Sequence, residues 1–365
     1  MQGRLMGKRV DAEYFIDTSS HGESTEGCNY LMTVDMEMEP VPGYEMASWE
    51  RGYGDFDMQP DFATLRRVPW LEATAMVLCD VGWHDGKPVR PSPRQVLRGQ
   101  VERARKLGFE PMFGSELEFY LLKETYAEGQ QEINFRFSDA LTMADNHVVY
   151  KNGIKEMAHQ QGCSVTFMAK PDHTWIGSSC HIHSSLWKEG RNTFDGESET
   201  FRQYLAGQIA CMSELAIFVA PNINSYKRYA AGTWAPTTLA WGHDNRTCGF
   251  RIVGHGQHLR AETRIPGADV NPYLAFAALL AAGLHGIENK LELPPAFTGN
   301  AYESNVSRFP HTLREAIGAL EQGKVARKAL GEDVVDHYLN YARTEQAQFD
   351  KVVTEWERQR LYERG

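Results

Sequence analysis

The chain has 365 residues, room for one large domain or two ordinary ones. Its 42% hydrophobic and 24% charged residues are the proportions of a soluble globular protein. The formal net charge of −10 argues against a nucleic-acid partner, because phosphate binding calls for a basic surface. The six cysteines (Cys28, Cys79, Cys163, Cys180, Cys211, Cys248) are scattered without a C-x-x-C pair, which favours reduced thiols over a disulfide framework or a zinc site. No basic-then-apolar leader opens the chain, and the longest apolar run, residues 273–283, is too short to cross a bilayer. These features predict a cytoplasmic protein with no membrane partner.

In chain order, residues 1–90 mix short apolar stretches with Gly, Pro and acids. Residues 31–38 and 75–79 are predicted strands, and 43–60, with its three glycines, a loop. Ser92-Pro93-Arg94 opens a helix, with Ser as N-cap and Pro in the first position. Val96, Leu97, Val101, Ala104 and Leu107 give that helix its apolar stripe, and Gly108 ends it. The helix marks a boundary between a small N-terminal domain, 1–90, and a larger one, 91–365. A strand over 111–122, a long helix over 138–162, a strand over 163–170 and a helix over 198–220 follow. Residues 271–287 are apolar nearly all round and predict a buried helix. Thr312 and Glu315 form a capping box for a helix stopping near Gly323, and a last helix spans 333–358. There is no internal repeat. Strands and helices without regular alternation predict an α+β fold rather than a doubly wound sheet.

Four clusters carry chemistry. In Gly114-Ser115-Glu116-Leu117-Glu118-Phe119-Tyr120, strand alternation sends Leu117, Phe119 and Leu121 to the core and pairs Glu116 with Glu118 on the other face. Adjacent carboxylates repel unless a cation sits between them. In Cys180-His181-Ile182-His183-Ser184-Ser185-Leu186 the same alternation pairs His181 with His183, which suits metal or phosphate. Arg260, Glu262 and Arg264 share one strand face, with Arg246 and Arg251 close before them. Four arginines in so apolar a stretch are expensive to bury without anions, and their forks match carboxylate or phosphate oxygens. Asn224-Ser225-Tyr226-Lys227-Arg228 adds two cations suited to clamping an acidic substrate.

Each cluster alone is a weak signal. Their order, E-x-E, H-x-H-x-S-L, N-S-Y-K-R, N-R-x-x-x-x-R, R-x-E-x-R-x-P and then Asn271-Pro272-Tyr273 opening an apolar helix, resembles glutamine synthetase. The resemblance implies a small β-grasp domain ahead of a catalytic domain whose curved antiparallel sheet is flanked by helices, assembled as a homo-oligomeric double ring. It implies that Glu118 and Glu132, the latter in Gly129-Gln130-Gln131-Glu132, hold the metal that organises glutamate. Glu116, His181 and Glu262 hold the metal on the ATP phosphates, as Mg2+ or Mn2+. Gly177, Arg228, Arg246 and Arg264 bind glutamate; His183, Ser185, Arg251 and Arg260 bind ATP. Arg246 and Trp234 take catalytic positions.

The implied reaction makes γ-glutamyl phosphate from glutamate and ATP and passes the acyl group to an amine. Ammonium-using members carry an acid in the flap after N-S-Y-K-R. Here the flap reads Ala231-Gly232-Thr233-Trp234-Ala235-Pro236, with Trp234 in the acidic place, and the family's other ammonium-site aspartate aligns near Pro42. An aromatic there suits an organic amine, by packing or cation–π contact. The stretches 25–30 and 49–55 resemble the γ-glutamyl-amide branch of the family. Two departures stand out: the first strands of the small domain do not precede Gly3, and only thirteen residues separate Glu118 from Glu132, where the family has several dozen more and a third metal-binding glutamate. Glu124 or Glu128 is the candidate substitute. Two further readings stay open: a glutamine synthetase using ammonia, and a non-catalytic relative that keeps only the fold.

Overall fold

A computed structural model describes residues 1, 3–123 and 129–364. The N-terminal part holds helix α1 (Ala12–Ser20) and strands β1 (Thr25–Cys28), β2 (Asp55–Arg67) and β3 (Ala75–Gly82), antiparallel in the order β1-β2-β3. Two expectations are corrected here, and one helix is added. Residues 31–38 are not a strand: Asn29–Met32 winds a 3-10 turn and only a single bridge, Val34 to Pro40, follows. The Asp35 carboxylate accepts from the amides of Glu37 and Glu39, a local bond that competes with strand pairing. The predicted loop 43–60 ends in strand, because β2 begins at Asp55; its first residues do alternate, but Asp55 and Asp57, a residue type depleted in strands, follow Gly52 and Gly54 and make the stretch read as loop. Helix α1 went unpredicted. It is capped by Asp11, and its helical spacing rests on Ala12, Phe15 and Ile16 alone, too short a stripe to announce it.

The rest of the chain adds helices α2 (Pro93–Lys106), α3 (Ala140–Gln160), α4 (Glu199–Cys211), α5 (Ala216–Val219), α6 (Ile223–Tyr226) and α7 (Pro272–Glu288). Helices α8 (Leu313–Gln322), α9 (Val325–Leu330), α10 (Glu332–Phe349) and α11 (Glu355–Leu361) follow. Its strands are β4 (Glu110–Leu122), β5 (Gln130–Asn134), β6 (Ser138–Asp139), β7 (Ser164–Thr166), β8 (Cys180–Lys188) and β9 (Arg191–Asn192), then β10 (Trp241–His243), β11 (Phe250–Val253) and β12 (Arg260–Thr263). The sheet runs β10-β11-β12-β8-β4-β5, with β6 and β7 also on β4 and β9 on β8. Every pairing is antiparallel except β10–β11, as an α+β fold requires.

Helix α7 is the centre of the core. It is apolar all round and buried from Pro272 to Leu284, and its Phe276 ring stacks on Phe113 of β4 at 4.8 Å. α4 approaches α7 backbone to backbone: a methyl at Gly207 would lie 2.1 Å from the Ala282 carbonyl oxygen, and one at Gly286 2.0 Å from that of Gln203.

Several boundaries move. Leu107 and Leu121, expected in the core, are 41% and 39% exposed, each lying at the end of its element. The strand expected over 163–170 keeps only Ser164–Thr166. The helix expected over 198–220 breaks between Cys211 and Ala216, and that over 333–358 breaks after Phe349 and restarts at α11, where Thr354 and Glu357 form a capping box. Ser92 precedes α2 without a side-chain cap bond. Thr312 caps α8 through the amide of Glu315, but Glu315 returns its bond to His311, one residue before the box.

Candidate active site

Three neighbouring strands build the site. β4 pairs with β8 in a register that sets Glu116 opposite His181, and β8 pairs with β12 so that His183 faces Glu262. The alternate residues Leu117, Cys180, Ile182 and Ala261 are fully buried on the other face, which fixes the polar set on this one. His183 Nε2 lies 2.8 Å from Glu116 Oε1. His181 Nδ1 lies 3.3 Å from Glu116 Oε2 and 3.6 Å from Glu262 Oε1. Glu116, His183 and Glu262 each offer one ligand atom within 4.8 Å of the others. The trio therefore contains His183 where His181 was expected, although His181 touches both carboxylates.

The arginines close over this set. Arg264 Nη1 donates to Glu262 Oε1 at 2.6 Å and Arg251 Nη1 to Oε2 at 2.9 Å. Arg260 Nε donates to His183 Nδ1 at 3.1 Å, so that nitrogen carries the lone pair and Nε2–H is the donor to Glu116. Burial pushes the Glu116 carboxyl up, but hydrogen bonds from His181 and His183 outweigh it and hold the group well below the carboxylate range. Glu262 behaves likewise: burial raises it, and its electrostatic neighbours His181, Arg264, His183 and Arg251 bring it below its ordinary value.

Arg228 is buried, and its Nη2 donates to the carbonyls of Arg264 at 3.3 Å, Pro266 at 3.1 Å and Ile265. Gly177 is required beside it, since a methyl there would lie 2.5 Å from Arg228 Cγ. Ser185 is buried and accepts from Trp187 Nε1 at 3.0 Å. Arg246 departs from the expected cluster. It sits exposed on the turn between β10 and β11 and lines a pocket with His243, Asp244, Phe297 and Gly299. Trp234 is 62% exposed, on a loop where its φ is +62°.

Glu118 and Glu132 stand opposite each other on β4 and β5. Glu118 Oε2 accepts from the Ser179 amide at 2.7 Å, and the exposed Glu132 accepts from Asn134 Nδ2 at 2.9 Å. Among the described residues no third acid or histidine joins these two into a ligand cluster. Glu124 and Glu128 lie outside the described residues.

Sequence reasoning missed Gln130, Lys151 and Asp269. Gln130 Nε2 bridges Glu118 Oε2 (3.5 Å) and the Gly177 carbonyl (3.0 Å). Lys151 Nζ, buried in α3, donates to the carbonyls of Ala268 (2.8 Å) and Val270 (3.2 Å). Asp269 Oδ2 accepts from Asn222 and Ser225. An acid inside the apolar run 265–270 was the available signal for Asp269; Lys151 has none.

The family model for the glutamine synthetase catalytic domain matches residues 123–361. Gamma-glutamylethanolamide synthetase GlnA4 of Streptomyces coelicolor is 47% identical, with 100% of this chain and 91% of the relative covered. That alignment runs over 423 residues against the 365 of this chain, so tens of positions in the relative have no counterpart here. Glutamate–isopropylamine ligase of a Pseudomonas species is 36% identical, covering 98% of this chain and 92% of the relative. The solved GmaS/ADP complex superposes with a TM-score of 0.86 at 27% identity, over 97% of this chain and 93% of that one. With the catalytic-domain match spanning more than half of its length and curated relatives aligned along all of it, the chain belongs to the glutamine synthetase family.

Proposed function

We propose that this chain is an ATP-dependent ligase joining the γ-carboxylate of glutamate to an organic amine. One observation carries the reading: Glu116, Glu262, His181 and His183 pack under Arg251, Arg260 and Arg264 on one face of three strands. The relatives named for ethanolamide synthesis and isopropylamine ligation, at 47% and 36% identity, support the choice of an organic amine.

The carboxylate and imidazole donors fit a hard divalent cation, Mg2+ or Mn2+. Glu116, Glu262 and His181 would hold the phosphate-side ion. His181 is preferred to His183 because Arg260 already takes the His183 Nδ1 lone pair. Glu118 and Glu132 would hold the glutamate-side ion. When bound, such ions neutralise charge on the transferring phosphoryl group.

Glutamate's carboxylate oxygen bonds to the γ-phosphorus of ATP as the bond to ADP breaks. The amine nitrogen then attacks the acyl carbon, inorganic phosphate leaves, and the nitrogen loses a proton. Arg251 and Arg260 steady the phosphoryl oxygens, with His183 and Ser185 beside the nucleotide. Arg228, Arg264 and Gly177 shape the glutamate pocket, Arg246 reaches substrate from its turn, and Trp234 covers the amine. A primary alkylamine has a pKa of about 10, so it arrives protonated and must be stripped of a proton before attack.

We further read 1–90 as the β-grasp counterpart, 91–365 as the catalytic domain, and the working form as a homo-oligomer. We place it in the cytoplasm, a reading supported by six free cysteines. No helix among the described residues is long and apolar enough to cross a membrane. The test is phosphate release with ATP, magnesium, glutamate and a panel of ethanolamine, isopropylamine, methylamine and ammonia. Release dependent on an organic amine is expected. Release with ammonia alone establishes the synthetase reading that Trp234 argues against, and no release from folded protein leaves only the fold.

A further inference from the structure

Behind the arginine face, the segment 264–271 between β12 and α7 is gripped by side chains from two places, the turn after α6 and helix α3. Arg228 donates to the carbonyls of residues 264, 265 and 266, and Tyr229 Oη adds a bond to Ile265 at 2.9 Å. Lys151 of α3 holds the carbonyls of residues 268 and 270. The segment's own acid, the buried Asp269, returns the grip. Its Oδ2 accepts from Ser225 Oγ at 2.6 Å and Asn222 Nδ2 at 2.8 Å. Asn222 caps α6 and Ser225 lies within it, three residues before Arg228. The chain of contacts is therefore closed: Asp269 fixes the turn that carries Arg228, and Arg228 reaches back to the segment that carries Asp269.

A second feature points the same way. Asp269 Oδ1 and Arg228 Nε are both buried and without a hydrogen-bond partner among the described residues. A methyl built at Gly267 would lie 2.6 Å from the first and 3.7 Å from the second, so the absent Cβ leaves a space that both unpartnered atoms border. Lys151 is the other cation near Asp269; burial lowers it to about 8, and the Asp269 charge works against that shift.

We infer that Asp269 is a positioning residue for glutamate, setting Arg228 through Ser225, Asn222 and the space left by Gly267. The inference rests on the ligase reading above, in which Arg228 receives the glutamate carboxylate. Asp269 itself touches no substrate, so removing it disturbs the glutamate side of the site and leaves the nucleotide side alone.

The test compares D269A, D269N and S225A with the wild type, as full chains, using ATP, magnesium and the amine identified from the panel. Loss of hydrogen bonds to a charged acceptor predicts a rise of about tenfold in KM for glutamate with D269A. D269N keeps one acceptor oxygen and should fall between D269A and the wild type. KM for ATP should stay within about twofold in all three. G267A, which drives a methyl against Asp269 Oδ1, should raise the glutamate KM as well. The two KM values rising together, or a glutamate KM unmoved in every variant, overturns the inference. If D269A does not fold, D269N and S225A carry the same split. If the wild type turns over no amine, the ligase reading fails, and glutamate binding is then read by calorimetry with magnesium and a non-hydrolysable ATP analogue. A weakening of about tenfold in D269N or S225A supports the inference; equal affinities, or no glutamate binding by the wild type, overturn it.

Discussion

Arg264 Nη1 lies 2.6 Å from Glu262 Oε1 in a site where Glu262 has no exposed surface. With Arg251 on the other oxygen at 2.9 Å, one buried carboxylate answers two guanidinium groups. Substituting Glu262 by Gln keeps its shape and removes its charge. Phosphate release is expected to fall by about a hundredfold or more, the scale for losing a preorganised charge at the reacting group. The variant should also unfold at lower denaturant, since both arginines lose their counter-ion in a desolvated site. Activity within threefold of the wild type would remove Glu262 from the machinery.

In the proposed ligase, Arg260 and His183 are a separate handle on the nucleotide, joined by the bond from Arg260 Nε to His183 Nδ1. R260Q removes the donor that sets the His183 tautomer, and removes one cation from the phosphate side. The expected result is a KM for ATP raised about tenfold with the glutamate KM nearly unchanged, opposite to the split expected of Asp269. Equal changes in both constants would argue that Arg260 supports the sheet rather than the nucleotide.

Trp234 combines exposure with a left-handed backbone, φ +62°, a conformation that disfavours a bulky side chain by about 1 kcal/mol. Retaining a tryptophan there at that cost motivates the amine-covering role. W234G should leave stability equal or slightly higher, because glycine tolerates the backbone, and should lower kcat/KM for the preferred amine by about tenfold. W234E restores the acid of the ammonia-using members and should shift preference towards ammonia. An unchanged amine profile in both variants would reduce Trp234 to a packing residue of the loop.

The period-two facing of the carboxylates and histidines made much of the site legible in the sequence. Glu116, His181, His183 and Glu262 each alternate with residues that are buried, and alternation alone sets each of them opposite the apolar face of its own strand. What alternation cannot supply is register. That Glu116 meets His181 and His183 meets Glu262 follows from long-range pairing of β4, β8 and β12. The place of Arg246 was hidden for a related reason: its nearness in sequence to Arg251 says nothing of the turn after β10, which sets it exposed beside His243 and Asp244 rather than over Glu262. Lys151 and Ala268 are 117 positions apart, and the lysine reaches that carbonyl beside Asp269 only because α3 packs under the segment after β12. Helix α1 has only Ala12, Phe15 and Ile16 at helical spacing and the 3-10 turn at 29–32 is a single turn, both too short for a period to stand out, and the break after Phe349 depends on a local capping box that a periodicity search passes over.

Arg94 ties the N-terminal sheet to the catalytic part. Its guanidinium donates to both oxygens of Asp145 on α3 (3.0 and 2.8 Å), to Asp80 on β3 (2.8 Å) and to Asp61 on β2 (2.7 Å), while Tyr273 at the start of α7 donates to Asp145 at 2.6 Å. R94M leaves a buried Asp145 without its cation and is expected to lower unfolding free energy by about 3–5 kcal/mol. D61N, on the more exposed rim of the network, should lose about 1 kcal/mol or less. Urea unfolding of the two variants checks the ranking; equal losses would mean that the network acts through its surface members.

Acid sensitivity of the fold follows from two buried imidazoles. Burial pushes both His147 and His337 down from 6.5 to about 3, with the Lys151 charge adding to the shift at His147. Both rings are thus neutral in the folded protein and titrate normally once it unfolds. Between pH 6.5 and 3 the unfolded chain binds more protons, so folding stability is complete above pH 6.5 and declines as pH falls. Each group contributes a slope approaching about 1.4 kcal/mol per pH unit. His337 packs on Tyr44 with ring centroids 4.6 Å apart, and H337F keeps that ring contact while removing the titrating group. Even if H337F is less stable at pH 7.5, its loss between pH 7.5 and 5.5 should be smaller than the wild-type loss by about 1 kcal/mol, read from urea midpoints at each pH. Parallel pH dependences for the two proteins would show that His337 titrates alike in the folded and unfolded states, against the burial argument.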